Sequence, residues 1–237
     1  MHKQDIEYFE SGVRFVGCLV YDASFKGKRP AVLVAPAFEG RNQFAISKAE
    51  LLAKLGYVAF VVDMYGDGQV AQGVEASLKL MIPIFNDRAL LRKRILAAFN
   101  TVKNLEIVDS YKIAGIGFCF GGMCMLDLAR AGADIKGVVS FHGVFKVPEG
   151  IPNAKIIAKV LLLHGHKDPQ VSPDQAVLIE NELDAAGVDW QLMFYGSAMH
   201  SFTDPNATEI ERGRKYDPVI AKRSWYVMEG FLKEVLS

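Results

Sequence analysis

Residues 111–131 read YKIAGIGFCFGGMCMLDLARA, and this stretch decides the fold. An apolar run typical of a buried strand leads into G-F-C-F-G-G at residues 117–122, and apolar residues at helical spacing follow. Small residues on both sides of Cys119 allow a strand to turn sharply into a helix and leave one side chain at the apex of the turn. The pattern is a nucleophile elbow, G-x-S-x-G, with cysteine in the position of the serine. It indicates acyl transfer on esters or lactones.

On both sides of this elbow, short apolar runs alternate with helical patterns. The predicted strands are residues 14–21, 31–35, 57–63, 112–118, 137–142 and 160–165, a further apolar run covers residues 190–195, and the predicted helices are 44–55, 87–105, 120–131, 173–186 and 216–236. This alternation predicts an α/β fold, with a mostly parallel central sheet and helices on both faces. Because the chain has neither a repeat nor a Pro/Ser-rich linker, we expect a single domain, residues 1–237.

Composition excludes several functional classes. Lys plus Arg and Asp plus Glu number 27 each, so the chain carries no excess positive charge for a nucleic acid or an anionic membrane. The apolar runs are too short to span a bilayer, and the first thirty residues lack the pattern of an export signal. The three cysteines form neither an even set nor a C-x-x-C pair. We therefore expect a cytoplasmic enzyme with a small-molecule substrate, as a monomer or a homodimer.

Two further residues complete a catalytic set with Cys119. Asp168 follows the strand predicted at 160–165, and His200 follows the run at 190–195, so the order along the chain is nucleophile, acid, histidine. Ligands bind beyond the carboxyl ends of parallel strands, where these three residues are placed. A free thiol is mostly protonated at neutral pH, so His200 would accept its proton while Asp168 orients the imidazole.

The catalytic set has structural rivals. His142 and His164 lie at the ends of apolar strands, where a buried structural histidine is the common outcome. Cys18 and Cys124 are expected to be small apolar core residues.

The negative oxygen of a tetrahedral intermediate needs hydrogen-bond donors, and the predicted oxyanion hole consists of the backbone N–H groups of Phe120 and of Phe38 in the loop 37–39.

Three motifs together resemble those of the dienelactone hydrolase family. They are G-F-C-F-G-G at 117–122, H-G-H-K-D at 164–168 and M-H-S-F at 199–202, and the resemblance covers nearly the whole chain. It implies an α/β-hydrolase fold without a large separate cap, no cofactor and no metal. It also implies hydrolysis of enol-lactones or small esters through a covalent acyl-enzyme. Carried onto matching positions, the triad of the family is Cys119, Asp168 and His200.

The sequence departs from the family pattern at two positions. Family members commonly carry a glutamate that contacts the resting thiol where this chain has Ala37, and Glu39 lies two residues further on. Members that act on dienelactone carry an arginine four residues after the histidine, which binds the substrate carboxylate. Here that position is Asp204, which would repel a carboxylate and argues against dienelactone itself as the substrate. Ser201 keeps the residue of the family next to the histidine.

Further residues are candidates for substrate contacts. Aromatic residues near strand ends can line a pocket for an apolar acyl group, and polar residues beside the triad can contact the substrate. The candidates are Glu39, Phe118, Tyr65, Ser201 and Phe202. Residues 64–85 are glycine-rich and then apolar, and this segment is a candidate flap where substrate selection is expected.

Three alternative functions are open to test. His164, His166 and Asp168 match the H-x-H-x-D part of a metallohydrolase motif, although Pro169 stands where the next histidine belongs. The second alternative, a dinucleotide-binding oxidoreductase, is disfavoured by the sequence, because Phe120 stands where the third glycine of G-x-G-x-x-G belongs. The third alternative is a non-catalytic or weakly active protein that keeps the hydrolase fold and binds small molecules.

Overall fold

The central element is an eight-stranded sheet in the order β1-β2-β4-β3-β5-β6-β7-β8. This computed structural model describes residues 1–237 except for the side chain of Pro173. The strands are β1 (His2–Glu10), β2 (Val13–Tyr21), β3 (Arg29–Ala35), β4 (Val58–Val61), β5 (Val108–Phe118), β6 (Gly137–Phe141), β7 (Lys159–Gly165) and β8 (Trp190–Tyr195). β1 and β2 are antiparallel to their neighbours, and β4, β3, β5, β6, β7 and β8 run parallel to one another.

Helices cover both faces of this sheet and bury a separate core on each. They are α1 (Gln43–Lys54), α2 (Val74–Asn86), α3 (Arg88–Lys103), α4 (Phe120–Arg130), α5 (Pro173–Ala185) and α6 (Pro218–Val235). One core contains apolar residues of α3, α4 and α5, and the other contains apolar residues of α1 and α6. Alternate residues of β3 enter the two cores, as the two-residue period of a strand buried on both faces requires.

The predicted mostly parallel sheet with helices on both faces is confirmed, and each predicted strand and helix has a counterpart. Two elements were not expected. β1 is an edge strand that pairs with β2, and its charged residues mask the apolar pattern on which the prediction relied. The candidate flap, residues 64–85, includes most of helix α2. No helix among the described residues combines the length and the apolar character that crossing a bilayer requires.

The turn from β5 into α4 depends on close contact between backbones. A Cβ atom at Gly117 would overlap the main chain of Gly121, and a Cβ atom at Gly121 would overlap the main chain of Ala35. Cys119 between them has φ 53°, in the left-handed region that non-glycine residues rarely adopt. The predicted turn from strand to helix is therefore present, and its glycines are required because a side chain at either position would overlap the main chain.

This packing predicts a large difference between two Gly→Ala variants. We expect Gly121→Ala to lower the free energy of unfolding by about 3 kcal/mol or more, since main-chain atoms cannot move aside as a flexible side chain can. Gly230→Ala in α6 is the matched control, because nothing lies within 4 Å of its added methyl group and alanine favours a helix by up to about 1 kcal/mol. Urea unfolding of both variants measures the difference. Equal stabilities would contradict this account of the elbow.

Candidate active site

Four neighbouring strands deliver the principal side chains of one site at their carboxyl ends. Cys119 follows β5, His142 follows β6, Asp168 lies three residues after β7, and His200 follows β8. The hydrogen bonds between neighbouring strands continue into the site. The Cys119 N–H donates to the Phe141 carbonyl, and the His142 N–H donates to the Leu163 carbonyl. The candidate residues therefore lie after strands, at the carboxyl ends where ligands bind to parallel sheets.

The acid and the histidine of the predicted triad are in direct contact. His200 Nδ1 lies 2.7 Å from Asp168 Oδ2, and both side chains are buried. An ionised carboxylate can only accept, so Nδ1 carries the proton and Nε2 is the atom left to exchange a proton. The other oxygen, Asp168 Oδ1, accepts the Gln170 N–H at 2.8 Å. Asp168 thus holds the ring of His200 in one orientation and one tautomer.

Cys119 and His200 line the same pocket. The Cys119 side chain is half-buried, and α4 starts at the next residue, so the sulfur lies near the positive end of the helix dipole. His200 Nε2 is buried and has no hydrogen-bond partner among the described residues. It is therefore free to accept or donate a proton in the pocket.

The charge state of His200 depends on its neighbours. Burial lowers the pKa of His200, but the negative charge of Cys119 and the hydrogen bond to Asp168 outweigh it and raise the pKa to about 10. His142, whose ring centroid lies 5.1 Å from that of His200, behaves in the opposite way. Burial lowers the pKa of His142 well below its usual value, and the charge of His200 lowers it further. One imidazole of this pair is thus suited to carry a proton, while the other stays neutral.

Two backbone N–H groups beside Cys119 are without acceptors. Among the described residues, neither the Phe38 N–H nor the Phe120 N–H makes a hydrogen bond to the protein. Phe120 is the first residue of α4, where N–H groups have no intrahelical partner. Both residues line the pocket. These two N–H groups therefore remain the candidate donors of the predicted oxyanion hole.

The pocket has a volume of about 380 Å³ and is mostly apolar. One wall is a face of α2, which contributes four side chains at helical spacing: Val74, Leu78, Met81 and Phe85. Cys119 and His200 also line this pocket. A volume of this order suits a small organic molecule.

Arg214, one of the charged residues that line the pocket, is paired with carboxylates. Arg214 Nη1 lies 3.1 Å from Glu209 Oε1, and Arg214 Nη2 lies 3.8 Å from Glu39 Oε1. The guanidinium group also lies over the Phe38 ring, 5.4 Å from its centroid. Burial raises the pKa of Glu39 above its usual value, although Arg214 opposes this shift. Arg214 is therefore engaged by two carboxylates and an aromatic ring before any ligand binds.

The structure separates the candidate substrate contacts into two groups. Glu39, Phe118 and Ser201 line the pocket. Tyr65 and Phe202 do not. Phe202 is buried against the ring of His142, and the ring of Tyr65 lies parallel to that of Phe120. The expected substrate contact is therefore wrong for these two residues, which instead pack behind residues that line the pocket.

Sequence reasoning did not assign the pocket-lining role of His142, whereas it placed the pocket-lining residues of α2 in the candidate flap, residues 64–85. His142 has φ 40° and Ser201 has φ 58°, so together with Cys119 three residues around the pocket have left-handed backbones. Such conformations cluster at functional sites. The apolar spacing of residues 74, 78, 81 and 85 was a usable signal for α2, whereas nothing local in the sequence distinguishes His142 from a core histidine.

The alternative metal set does not form a cluster. His166 is exposed, while His164 and Asp168 are buried, with His164 Nε2 at 3.7 Å from Asp168 Oδ2. Within the described part of the chain, no group of three or more His, Cys, Asp or Glu residues is arranged to hold a metal ion. Asp168 is instead bonded to His200.

Comparison with known proteins identifies related sequences and structures. The family model of the dienelactone hydrolase family matches residues 16–236. The solved structure of "m3DLH" is similar, with a TM-score of 0.94 and 39% sequence identity over 100% of this chain and 99% of that chain. A dienelactone hydrolase-like promiscuous phosphotriesterase from metagenomic libraries has a TM-score of 0.93 and 36% identity at the same coverage, 100% and 99%. The "Probable 2-oxo-3-(5-oxofuran-2-ylidene)propanoate lactonase" of Bradyrhizobium sp. is 27% identical over 209 residues, which cover 84% of this chain and 81% of that protein.

The electrostatics of the site predict a change in the pKa of His200. In Cys119→Ala the negative charge is lost, so burial is opposed by Asp168 alone, and we expect the pKa of His200 to fall below the wild-type value of about 10. As the pH rises, the variant ring would lose its proton before the wild-type ring does. NMR titration of the histidine Cε1 signals measures this. Cys124→Ala, which removes a buried thiol from α4, is the control and should leave the pKa of His200 in place. An unchanged value in Cys119→Ala would show that the two groups are uncoupled.

Proposed function

This chain belongs to the dienelactone hydrolase family, and we propose that it cleaves small carboxylic esters or lactones by covalent catalysis at Cys119. The observation that carries the proposal is the buried Asp168–His200 hydrogen bond, which leaves His200 Nε2 free in the pocket that Cys119 also lines. A thiol needs a base to become a nucleophile at neutral pH, and an oriented imidazole is such a base.

The first half of the proposed reaction forms an acyl-enzyme. With its pKa raised to about 10, His200 Nε2 holds the proton of the Cys119 thiol, and the thiolate attacks the carbonyl carbon, whose oxygen becomes negatively charged. The free N–H groups of Phe38 and Phe120 donate to that oxygen. When the tetrahedral intermediate collapses, the C–O bond breaks and His200 returns the proton to the leaving oxygen. With a lactone, this oxygen stays attached to the acyl group.

The second half releases the acid. Water takes the place of the thiol, with His200 Nε2 accepting one of its protons as the water oxygen attacks the thioester carbon. The same two N–H groups receive the oxyanion, the C–S bond breaks, and the proton goes back to Cys119. Asp168 stays ionised throughout and holds the imidazole ring through Nδ1.

The lining of the pocket supports a substrate with an apolar acyl part. The side chains of α2 that line the pocket are apolar. Arg214 is already paired with Glu39 and Glu209. Asp204, which also lines the pocket, adds a negative charge where family members have an arginine. We therefore propose neutral esters or lactones as substrates. The lactonase named among the relatives shares the lactone bond with this proposal, whereas the substrate in its name carries a carboxylate.

The chemical test is hydrolysis of p-nitrophenyl acetate or butyrate. We expect the wild type to hydrolyse these esters with no effect of a chelator. Cys119→Ala should lower kcat by at least about a thousandfold, since removal of a nucleophile leaves the oxyanion donors alone to act. Cys18→Ala, which changes a buried cysteine of β2, is the matched control and should retain activity.

Each alternative has its own outcome in this assay. Full activity in Cys119→Ala would contradict the covalent mechanism. Loss of activity with a chelator would favour a metal-dependent hydrolase. A wild type that binds small lactones without turnover would favour the non-catalytic binding protein.

The proposed role of α2 in selecting the acyl group can be tested on the same helix. Leu78→Asp places a charge in the pocket wall, so we expect KM for the butyrate ester to rise about tenfold, which corresponds to about 1.4 kcal/mol of lost binding, with little change in kcat. Ile82→Asp is the control, because Ile82 is 46% exposed on α2 and lies outside the pocket lining. Equal effects of the two substitutions would contradict the assignment of this wall.

A further inference from the structure

Tyr65 contacts both residues of the proposed oxyanion hole from behind the pocket. Its hydroxyl group donates to the Phe38 carbonyl oxygen at 2.7 Å. Its ring lies parallel to the ring of Phe120, at an interplanar angle of 10° with the centroids 6.3 Å apart. Tyr65 is 6% exposed and does not line the pocket. It therefore cannot contact a substrate in that pocket directly, although it contacts the two residues whose N–H groups are the proposed oxyanion donors.

The backbone of Phe38 is fixed on both sides. The carbonyl group of Ala37, which precedes the Phe38 N–H in the same planar peptide group, accepts the Gly40 N–H at 3.0 Å. The carbonyl group of Phe38, in the following peptide group, accepts the Tyr65 hydroxyl. With both flanking carbonyl groups held, the Phe38 N–H has one orientation, and it makes no hydrogen bond to the described residues.

We propose that Tyr65 is a positioning residue that sets the direction of the Phe38 N–H in the oxyanion hole. This inference rests on the proposed function. Donors that point at the developing charge before the reaction begins need no reorganisation during it, and this is the source of their effect on the rate. Without the Tyr65 hydroxyl, the Phe38–Glu39 peptide group would lose its anchor, and only the bond from the Gly40 N–H to the Ala37 carbonyl would still restrain the Phe38 N–H.

Tyr65 is itself held firmly enough for this task. Its backbone N–H donates to Oδ1 of Asp63 at 2.9 Å, and Asp63 is a buried residue just after β4. Gly40, which closes the turn of the oxyanion loop, approaches the Tyr65 ring so closely that an added Cβ would lie 3.2 Å from Cδ2. Burial, with the charges of Cys124 and Cys119, raises the pKa of Tyr65, so the hydroxyl keeps the proton that it donates.

The experiment compares ester hydrolysis with alkylation of Cys119 in Tyr65→Phe. This variant keeps the ring beside Phe120 and removes the hydrogen bond to Phe38. Loss of one oxyanion donor costs about a hundredfold to a thousandfold in kcat, so a misdirected donor should lower kcat at least about tenfold, with KM within about twofold. Alkylation of Cys119 by iodoacetamide forms no oxyanion, so its rate should stay within about twofold of the wild type.

Tyr8→Phe is the matched control. Tyr8 is buried in β1, and its hydroxyl donates to the backbone carbonyl oxygen of Asp63 at 2.8 Å. The Tyr8 hydroxyl also accepts the Asp63 N–H at 3.2 Å, so the variant loses two bonds to the Asp63 backbone and keeps the bond between the Asp63 carboxylate and Tyr65. We expect its kcat and its alkylation rate to match those of the wild type, although its midpoint of urea unfolding should fall.

The outcomes separate the inference from the function on which it rests. If Tyr65→Phe kept the wild-type kcat, or if its hydrolysis and alkylation rates fell together, the positioning role would be overturned. Wild-type hydrolysis that survives in Cys119→Ala would instead overturn the covalent mechanism, and this inference with it. A selective fall in kcat, in an enzyme that still loses activity in Cys119→Ala, supports both.

Discussion

The close passage of β5 over the start of α4 is the constraint on which the rest of this structure depends. At Gly117 and Gly121 the two backbones are so near that a side chain on either would overlap main-chain atoms. This contact forces Cys119 into the left-handed region and presents its side chain at the beginning of a helix. The sulfur, the free Phe120 N–H and the adjoining pocket are consequences of that single turn.

The parallel sheet extends this local geometry into a site. Because β5, β6, β7 and β8 are consecutive neighbours, the residues that follow them meet at one edge although they are distant in sequence. The two cores hold the strands rigidly from both faces, so the loops at this edge can adopt unfavourable backbone conformations without loss of the fold. A rigid frame with specialised loops is what a preorganised catalytic site requires.

The parts of the site that follow from local pattern could be predicted from the sequence, and those set by distant contacts could not. The elbow at Cys119 and the positions of Asp168 and His200 each follow an apolar strand, so spacing along the chain was sufficient to place them. Tyr65 and Phe202 were expected to touch substrate, yet the directions of their rings depend on packing against Phe120 and His142, which no local pattern encodes. Strand β1 was not predicted, because an exposed edge strand does not need the continuous apolar run of a buried strand.

The central claim is that acyl transfer passes through the sulfur of Cys119, and trapping the intermediate tests it most directly. The enzyme would be mixed rapidly with p-nitrophenyl acetate, quenched in acid during turnover, digested and analysed by mass spectrometry. The account predicts one acetyl group on the peptide that carries Cys119, absent from a sample that was acid-quenched before the ester was added. Steady turnover with the acetyl group on another residue, or on none at any quench time, would contradict it.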